Sequence, residues 1–337
     1  MHKVLLVAPS WIGDTILAQP LFARLHEMHP GLALDAFAPA WAAPVLARMR
    51  EVRRVIPNPF AHGEFNLSGR WRAGRELARE GYDAAIVLPN SWKSALLPFF
   101  AGIPQRIGFK GEARHLLLNR IHRLDEKALP QLAQRYALLA EDAGTTMPAP
   151  LAEPELAVDP DSVRATLSAL GLDAAPAPVA FCPGAEYGPA KRWPAAHFAE
   201  LAHRLAEADF PVWLIGSAKD APIGVEIEQL SGGACRNLCG RTDLAQAIDL
   251  LSCARLVVSN DSGLMHVAAA LRRPLVALYG SSSPSYTPPL SQRARILNLG
   301  LECSPCFKRE CPLGHLDCLN KLEPQRVLDA CLARTAA

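Results

Sequence analysis

No run of apolar residues in this sequence reaches the roughly 18–20 needed to carry a helix across a bilayer. The opening, MHKVLLVAPSWIGD, is apolar only briefly before Trp, Gly and Asp interrupt it, so it reads as a buried first strand and not as a secretory leader. Cysteine is missing before Cys182, and the nine that follow are an odd number. That usage predicts reduced thiols and a cytoplasmic chain instead of a disulfide framework. Neither sign of charge is in excess: 35 Lys and Arg meet 33 Asp and Glu, for a formal net charge of +2. The broad basic footprint of a duplex-binding protein is therefore absent, and no nucleic-acid partner is expected. Two phosphate fingerprints are missing as well. There is no GxxxxGK(S/T), and no strand is followed by GxGxxG, which removes the main support for a P-loop ATPase or a nicotinamide dehydrogenase.

What is present is an alternation of short apolar runs with helical patterns over 337 residues, a length that suits two cores more than one. KVLLVAP, ALDAFAP and DAAIVLP read as strands in the first half, with TILAQPLFARLHEMH as a helix after the first. The pattern restarts with PVAFCPG, the helix PAAHFAELAHRLAEA, then PVWLIGS, RLVVSND and PLVALYG. Strands spaced by helices predict parallel βαβ units, hence an α/β protein of two doubly wound, Rossmann-like domains facing across a cleft. The proline-rich Thr145–Ser162 reads as the linker, its last part as a possible extended strand. The expected domains are 1–155, binding an acceptor, and 156–337, binding a donor and ending in the helix EPQRVLDACLART.

In such sheets ligands sit beyond the carboxyl ends of the strands. There VVSNDSGLMHVAAAL puts Asp261, Ser262, Gly263, Leu264 and His266 at the seam between a strand and a helix. Asp261 or Ser262 is the expected N-cap, and the first-turn N–H groups favour an anion. In CPGAEYGPAKRWP, Gly184 and Gly188 lead to Lys191, a mobile ammonium just before a helix that Pro194 is expected to start. Two anion-friendly loops in one domain predict a diphosphate. In the first domain APSWIGD places Gly13 and Asp14 where a strand gives way to a helix. Asp14 can cap that helix, or it can take a proton from an attacking hydroxyl. A glycoside hydrolase wants two working carboxyls; one base and a good leaving group suit a transferase. Asn90, Lys93, Arg106, Lys110 and Arg114, with RWRAGR at Arg70–Arg75, form a basic complement for an anionic acceptor. Cys303, Cys306, Cys311 and Cys318, with His315 among them, can hold a structural zinc or can be plain reduced thiols; the spacing leaves both open.

Taken together, SWIGD, LPNSWKSALLPFFAGIPQRIG, CPGAEYGPAKRWP and NDSGLMHVAAALRRPLVALYG resemble the ADP-heptose:lipopolysaccharide heptosyltransferases of glycosyltransferase family 9, in particular the type that adds the second inner-core heptose. The likeness runs through nearly the whole chain. It implies a GT-B fold and inverting transfer from ADP-L-glycero-β-D-manno-heptose to heptosyl-Kdo-lipid A, with no cofactor and no catalytic metal. It also implies that Asp14 is the base, that Lys191 binds phosphate, and that the signature D-S/T-G-x-x-H falls on Asp261, Ser262, Gly263 and His266. The donor glutamate of the family has no clear counterpart in LIGSAKDAP, which leaves the nucleoside contacts near Ser217, Lys219 and Asp220 open. A lipid-borne acceptor implies peripheral attachment to the cytoplasmic face of the inner membrane, for which the apolar ALLPFF is a candidate contact. Another GT-B enzyme with a different nucleotide sugar, or a non-catalytic nucleotide-binding protein, are the competing readings.

Overall fold

The computed structural model describes residues 1–61, 63–145 and 150–335. It divides into two compact units, Met1–Pro154 and Glu155–Ala337. The first is built on strands β1 (Lys3–Val7), β2 (Ala33–Ala38), β3 (Arg54–Pro57), β4 (Ala84–Val87), β5 (Gln105–Phe109) and β6 (Arg120–His122). The second carries β7 (Val179–Cys182), β8 (Val212–Leu214), β9 (Arg236–Asn237), β10 (Leu256–Asn260), β11 (Leu275–Tyr279) and β12 (Ala294–Asn298). Every neighbouring pair is parallel.

The first sheet runs β3-β2-β1-β4-β5-β6 and the second β12-β11-β10-β7-β8-β9. Each therefore starts at a central strand, winds to one edge, and returns to wind to the other. That reversal leaves a crevice between β1 and β4 in one unit and between β7 and β10 in the other, where the loops leave in opposite directions. The central strands are buried along almost their whole length, as parallel strands covered on both faces must be. Phe181 and Phe198 pack at the heart of the second unit, and Leu5, Val7 and Val87 at that of the first.

Three local details differ from the sequence reading. TILAQPLFARLHEMH is two helices, Ile12–Leu17 and Gln19–Met28, because Pro20 has no N–H to continue the ladder. Pro194 is the N-cap and not the first helical residue, and the helix runs Ala195–Glu207. The linker residues 146–149 lie outside the described residues. The end of that stretch belongs to the second unit: no strand forms, Leu156 is buried and donates its N–H to the Ala270 carbonyl at 3.0 Å, and Asp159 caps a helix Pro160–Leu170. The closing helix Pro324–Thr335 packs on β10 and β11.

Candidate active site

The loops after β7 and β10 are tied to each other by side chains. Asn260, the last residue of β10, is fully buried; its Oδ1 accepts the Trp193 N–H at 3.0 Å and its Nδ2 donates to the Pro183 carbonyl at 2.8 Å. One amide thus holds both ends of the Pro183–Trp193 loop. The indole of Trp193, also buried, donates to the Leu322 carbonyl at 2.8 Å, fixing the loop exit to the core. Within that frame Lys191 reaches Asp261, 70 residues away in sequence, with Nζ 2.6 Å from Oδ2. Asp261 is buried and Lys191 is partly open to solvent. An ammonium has three N–H donors, so one on Asp261 leaves two.

Ser262 occupies the N-cap of helix Gly263–Ala270 but makes no side-chain cap bond; the expected cap through Asp261 is likewise not made, because Asp261 serves Lys191 instead. The first-turn amides of this helix lack an intrahelical acceptor by construction. His266 is buried one turn in, and its Nδ1 has no hydrogen-bond partner. Burial pulls its pKa down to about 4, against the attraction of Asp261 and with the repulsion of Lys191, so the ring is neutral at neutral pH. Gly184 has a local reason to be glycine: a Cβ there would lie 2.3 Å from Asp220, whose carboxylate accepts from the N–H and Oγ of Ser217 at 2.9 and 2.7 Å. Lys219 is paired with Glu186.

In the first unit, the helix that follows β1 begins at Ile12 with Trp11 at its N-cap. Asp14 therefore stands inside the first turn and is not the cap. Asp14 is half-buried at the N-terminal end of the helix. The segment after β4, with Asn90 and the first turn of helix Trp92–Phe100 that carries Lys93, leaves the same end of the sheet as the segment after β1, since the two strands are parallel neighbours and Leu88 donates to the Val7 carbonyl at 3.1 Å. Topology therefore puts Gly13, Asp14, Asn90 and Lys93 on the two segments that leave the switch point of the first sheet.

The basic complement of this unit needs correction. Arg114 is buried, donating to the carbonyls of Pro89 at 2.8 Å and Phe109 at 2.6 Å and to the Asn90 side chain. Arg70 is buried too, held by the carbonyls of Phe65 and Glu64 at 2.7 and 2.9 Å. Arg106 spends Nε and a terminal nitrogen on the carbonyls of Leu117 and Ile103, both at 2.6 Å. These guanidiniums satisfy backbone acceptors of their own loops; the cations of the group that make no ion pair among the described residues are Arg72, Arg75, Lys93 and Lys110. ALLPFF is likewise mostly core: Ala95, Leu96, Leu97 and Pro98 are buried in helix Trp92–Phe100, and Phe99 is exposed.

Cys303, Cys306, Cys311, Cys318 and His315 line one small cavity of about 20 Å³, together with Ala190 and Ser281. None of the nine cysteines is in a disulfide. Among the described residues no three His, Cys, Asp or Glu side chains are grouped so as to hold a metal ion. The residues between the cysteines have a visible task. Phe307 donates its N–H to the Ser281 carbonyl at 2.7 Å and accepts the Tyr187 hydroxyl at 2.9 Å, while the Arg309 carbonyl accepts the Ala190 N–H at 3.0 Å. This segment braces the loop that carries Lys191. The cysteines mark this segment in the sequence, but its bracing contacts, like the side-chain ties of Asn260, carry no local signal there.

A family model described as glycosyltransferase family 9 (heptosyltransferase) matches residues 70–317. The chain is 46% identical over 338 residues to lipopolysaccharide heptosyltransferase 2 of Escherichia coli K12, covering 97% of each. It is 48% identical over 308 residues to lipooligosaccharide heptosyltransferase 2 of Haemophilus influenzae, covering 88% of each. The solved structure of Escherichia coli ADP-heptose lps heptosyltransferase II superposes with a TM-score of 0.89 at 44% identity, covering 99% of both chains.

Proposed function

The chain belongs to glycosyltransferase family 9, the heptosyltransferases, and from that premise we propose that it moves heptose from ADP-heptose onto the lipopolysaccharide inner core. The chain is a GT-B glycosyltransferase, and likeness to heptosyltransferase 2 over nearly its full length supports the second heptose step. The donor is then ADP-L-glycero-β-D-manno-heptose and the acceptor heptosyl-Kdo-lipid A. Such an acceptor is membrane-borne, which favours peripheral attachment at the cytoplasmic face of the inner membrane. Among the described residues no helix is long and apolar enough to cross a membrane.

The observation that carries the assignment of residues is the Lys191–Asp261 pair at the switch point of the second sheet, beside the start of helix Gly263–Ala270. We assign the donor diphosphate to this place. Lys191, the Ser262 hydroxyl and the amides of Ser262, Gly263 and Leu264 would meet its oxygens, with Gly184 in the facing loop. Asp261 is a poor direct neighbour for an anion; buried and paired, it holds the Lys191 ammonium so that its remaining N–H groups point outward. Neutral His266 adds a hydrogen bond without adding charge. In the reaction the acceptor hydroxyl oxygen attacks the anomeric carbon from the face opposite the diphosphate, and the bond from that carbon to the phosphate oxygen breaks. ADP leaves with the electron pair, and Lys191 and the helix amides offset the charge that grows on it. The proton of the hydroxyl goes to Asp14. Gly13, Asn90, Lys93 and Lys110 are assigned to the acceptor, with Arg106 shaping their loop.

The test is mass spectrometry of a truncated heptosyl-Kdo acceptor incubated with ADP-heptose, with UDP-sugars as controls. One added heptose and one ADP released per turnover are expected. Equal use of a UDP-sugar, or ADP release without product, would remove this reading in favour of another nucleotide-sugar enzyme.

A further inference from the structure

We infer that Arg309, from the cysteine-bearing segment, is a second cation of the donor diphosphate site. The inference rests on the assignment of the diphosphate to Lys191. A nucleoside diphosphate sugar brings two negative charges, yet the ammonium of Lys191 is already offset by the buried Asp261. The start of a helix supplies about half a positive charge. Lys219, from the loop after β8, pairs with Glu186, and the half-buried Arg192 turns one terminal nitrogen to the Ala185 carbonyl at 3.4 Å. Lys191 and the helix start together leave part of the diphosphate charge unmatched.

Arg309 is where that charge is available. Its backbone is locked against the phosphate loop, with its carbonyl accepting the Ala190 N–H at 3.0 Å. Gly188 approaches so closely that a Cβ on it would lie 2.4 Å from the Arg309 carbonyl oxygen. The guanidinium lies 5.3 Å from the centroid of the Tyr187 ring, and the Lys191 ammonium lies 5.2 Å from the same centroid. Tyr187 in turn is fixed by its hydroxyl on the Phe307 carbonyl at 2.9 Å. Two cations therefore share one aromatic ring. Arg309 is exposed and makes no ion pair among the described residues. Like charges gathered this way repel unless an anion joins them, and a guanidinium fork suits two phosphoryl oxygens at once. Tyr187 acts here as the stage on which both cations are aimed.

The experiment is calorimetric titration of the full chain with ADP and with adenosine, at several salt concentrations, for the parent, Arg309→Ala, Arg309→Lys and Lys191→Ala. Arg309→Ala should weaken ADP about tenfold and flatten the salt dependence, with adenosine affinity and melting temperature unchanged. Arg309→Lys keeps the charge but loses the fork, and should recover most of the salt slope and only part of the affinity. If Arg309→Ala binds ADP within twofold of the parent while Lys191→Ala is impaired, Arg309 has no such role and the site assignment stands. If Lys191→Ala also binds ADP normally, the site assignment falls and this inference falls with it.

Discussion

Lys191 and Arg114 are both basic residues lodged in loops beyond the carboxyl ends of parallel strands, and they are used in opposite ways. Arg114 turns its fork inward onto the carbonyls of Pro89 and Phe109 and onto Asn90, and it is buried. Lys191 gives one donor to Asp261 and stays partly open to solvent. The first holds a loop in shape, whereas the second is itself held in shape by Asn260, Trp193 and Asp261. A cation in a loop is available to a ligand only if its own backbone has not claimed its donors. That distinction separates the second unit, where the loop is braced by others and its lysine is spared, from the first, where three arginines do the bracing.

Point variants test this contrast from both sides. The largest effect expected is from Asp14→Asn, which keeps the shape and removes the proposed base. Its kcat should fall by about 10³-fold, within the usual range for a general base, and unchanged turnover would free Asp14 of that role. Lys191→Ala should lower the rate by about 10²–10³-fold, as loss of one charge-stabilising donor does. Since this also leaves the buried Asp261 without its cation, the double variant with Asp261→Asn should regain stability but not rate. Arg114→Ala should show the reverse pattern, with stability down by about 3 kcal/mol in denaturant titration and ADP affinity intact. An altered ADP affinity in that variant would mean that the two units are not independent in this respect. Asn260→Ala strands the Trp193 N–H and the Pro183 carbonyl, costing about 1–3 kcal/mol and loosening the Lys191 loop, so both melting temperature and ADP affinity should drop together. The smallest effect is expected of Lys110→Ala, exposed and without an ion pair among the described residues. It should raise KM for the acceptor a few-fold, leaving donor binding alone.

His266 adds a pH signature. Its pKa in the folded chain is near 4, below the ordinary histidine value, so the native state binds fewer protons than the unfolded one as pH falls through about 6.5. Its contribution to stability is constant above that point and is lost progressively between about pH 6.5 and 4.

The central strands were legible because parallel strands covered on both faces must be apolar throughout, and VLLV, VAFC and LVALY are. The strands β3, β5, β6, β9 and β12 escaped notice for the converse reason: they lie toward the sheet edges and mix Arg, Asn, Gln or His with apolar residues. The strand-to-helix seams at Asp14 and Asp261 could be read from glycine, acid and the apolar run before them. That Asp261 would turn to Lys191 and not cap its helix could not, since both uses begin from the same residue. Whether Arg114 faces water or carbonyls depends on the path of the chain from 105 to 122, which no local pattern states. The break at Ala18 is legible from Pro20, which cannot continue a helical ladder.

The most direct trial of the account is ADP titration calorimetry on Asp14→Asn and Lys191→Ala side by side. Asp14→Asn should bind ADP within about twofold of the parent and Lys191→Ala at least about tenfold more weakly. Equal binding by Lys191→Ala, or loss of binding in Asp14→Asn alone, would contradict it.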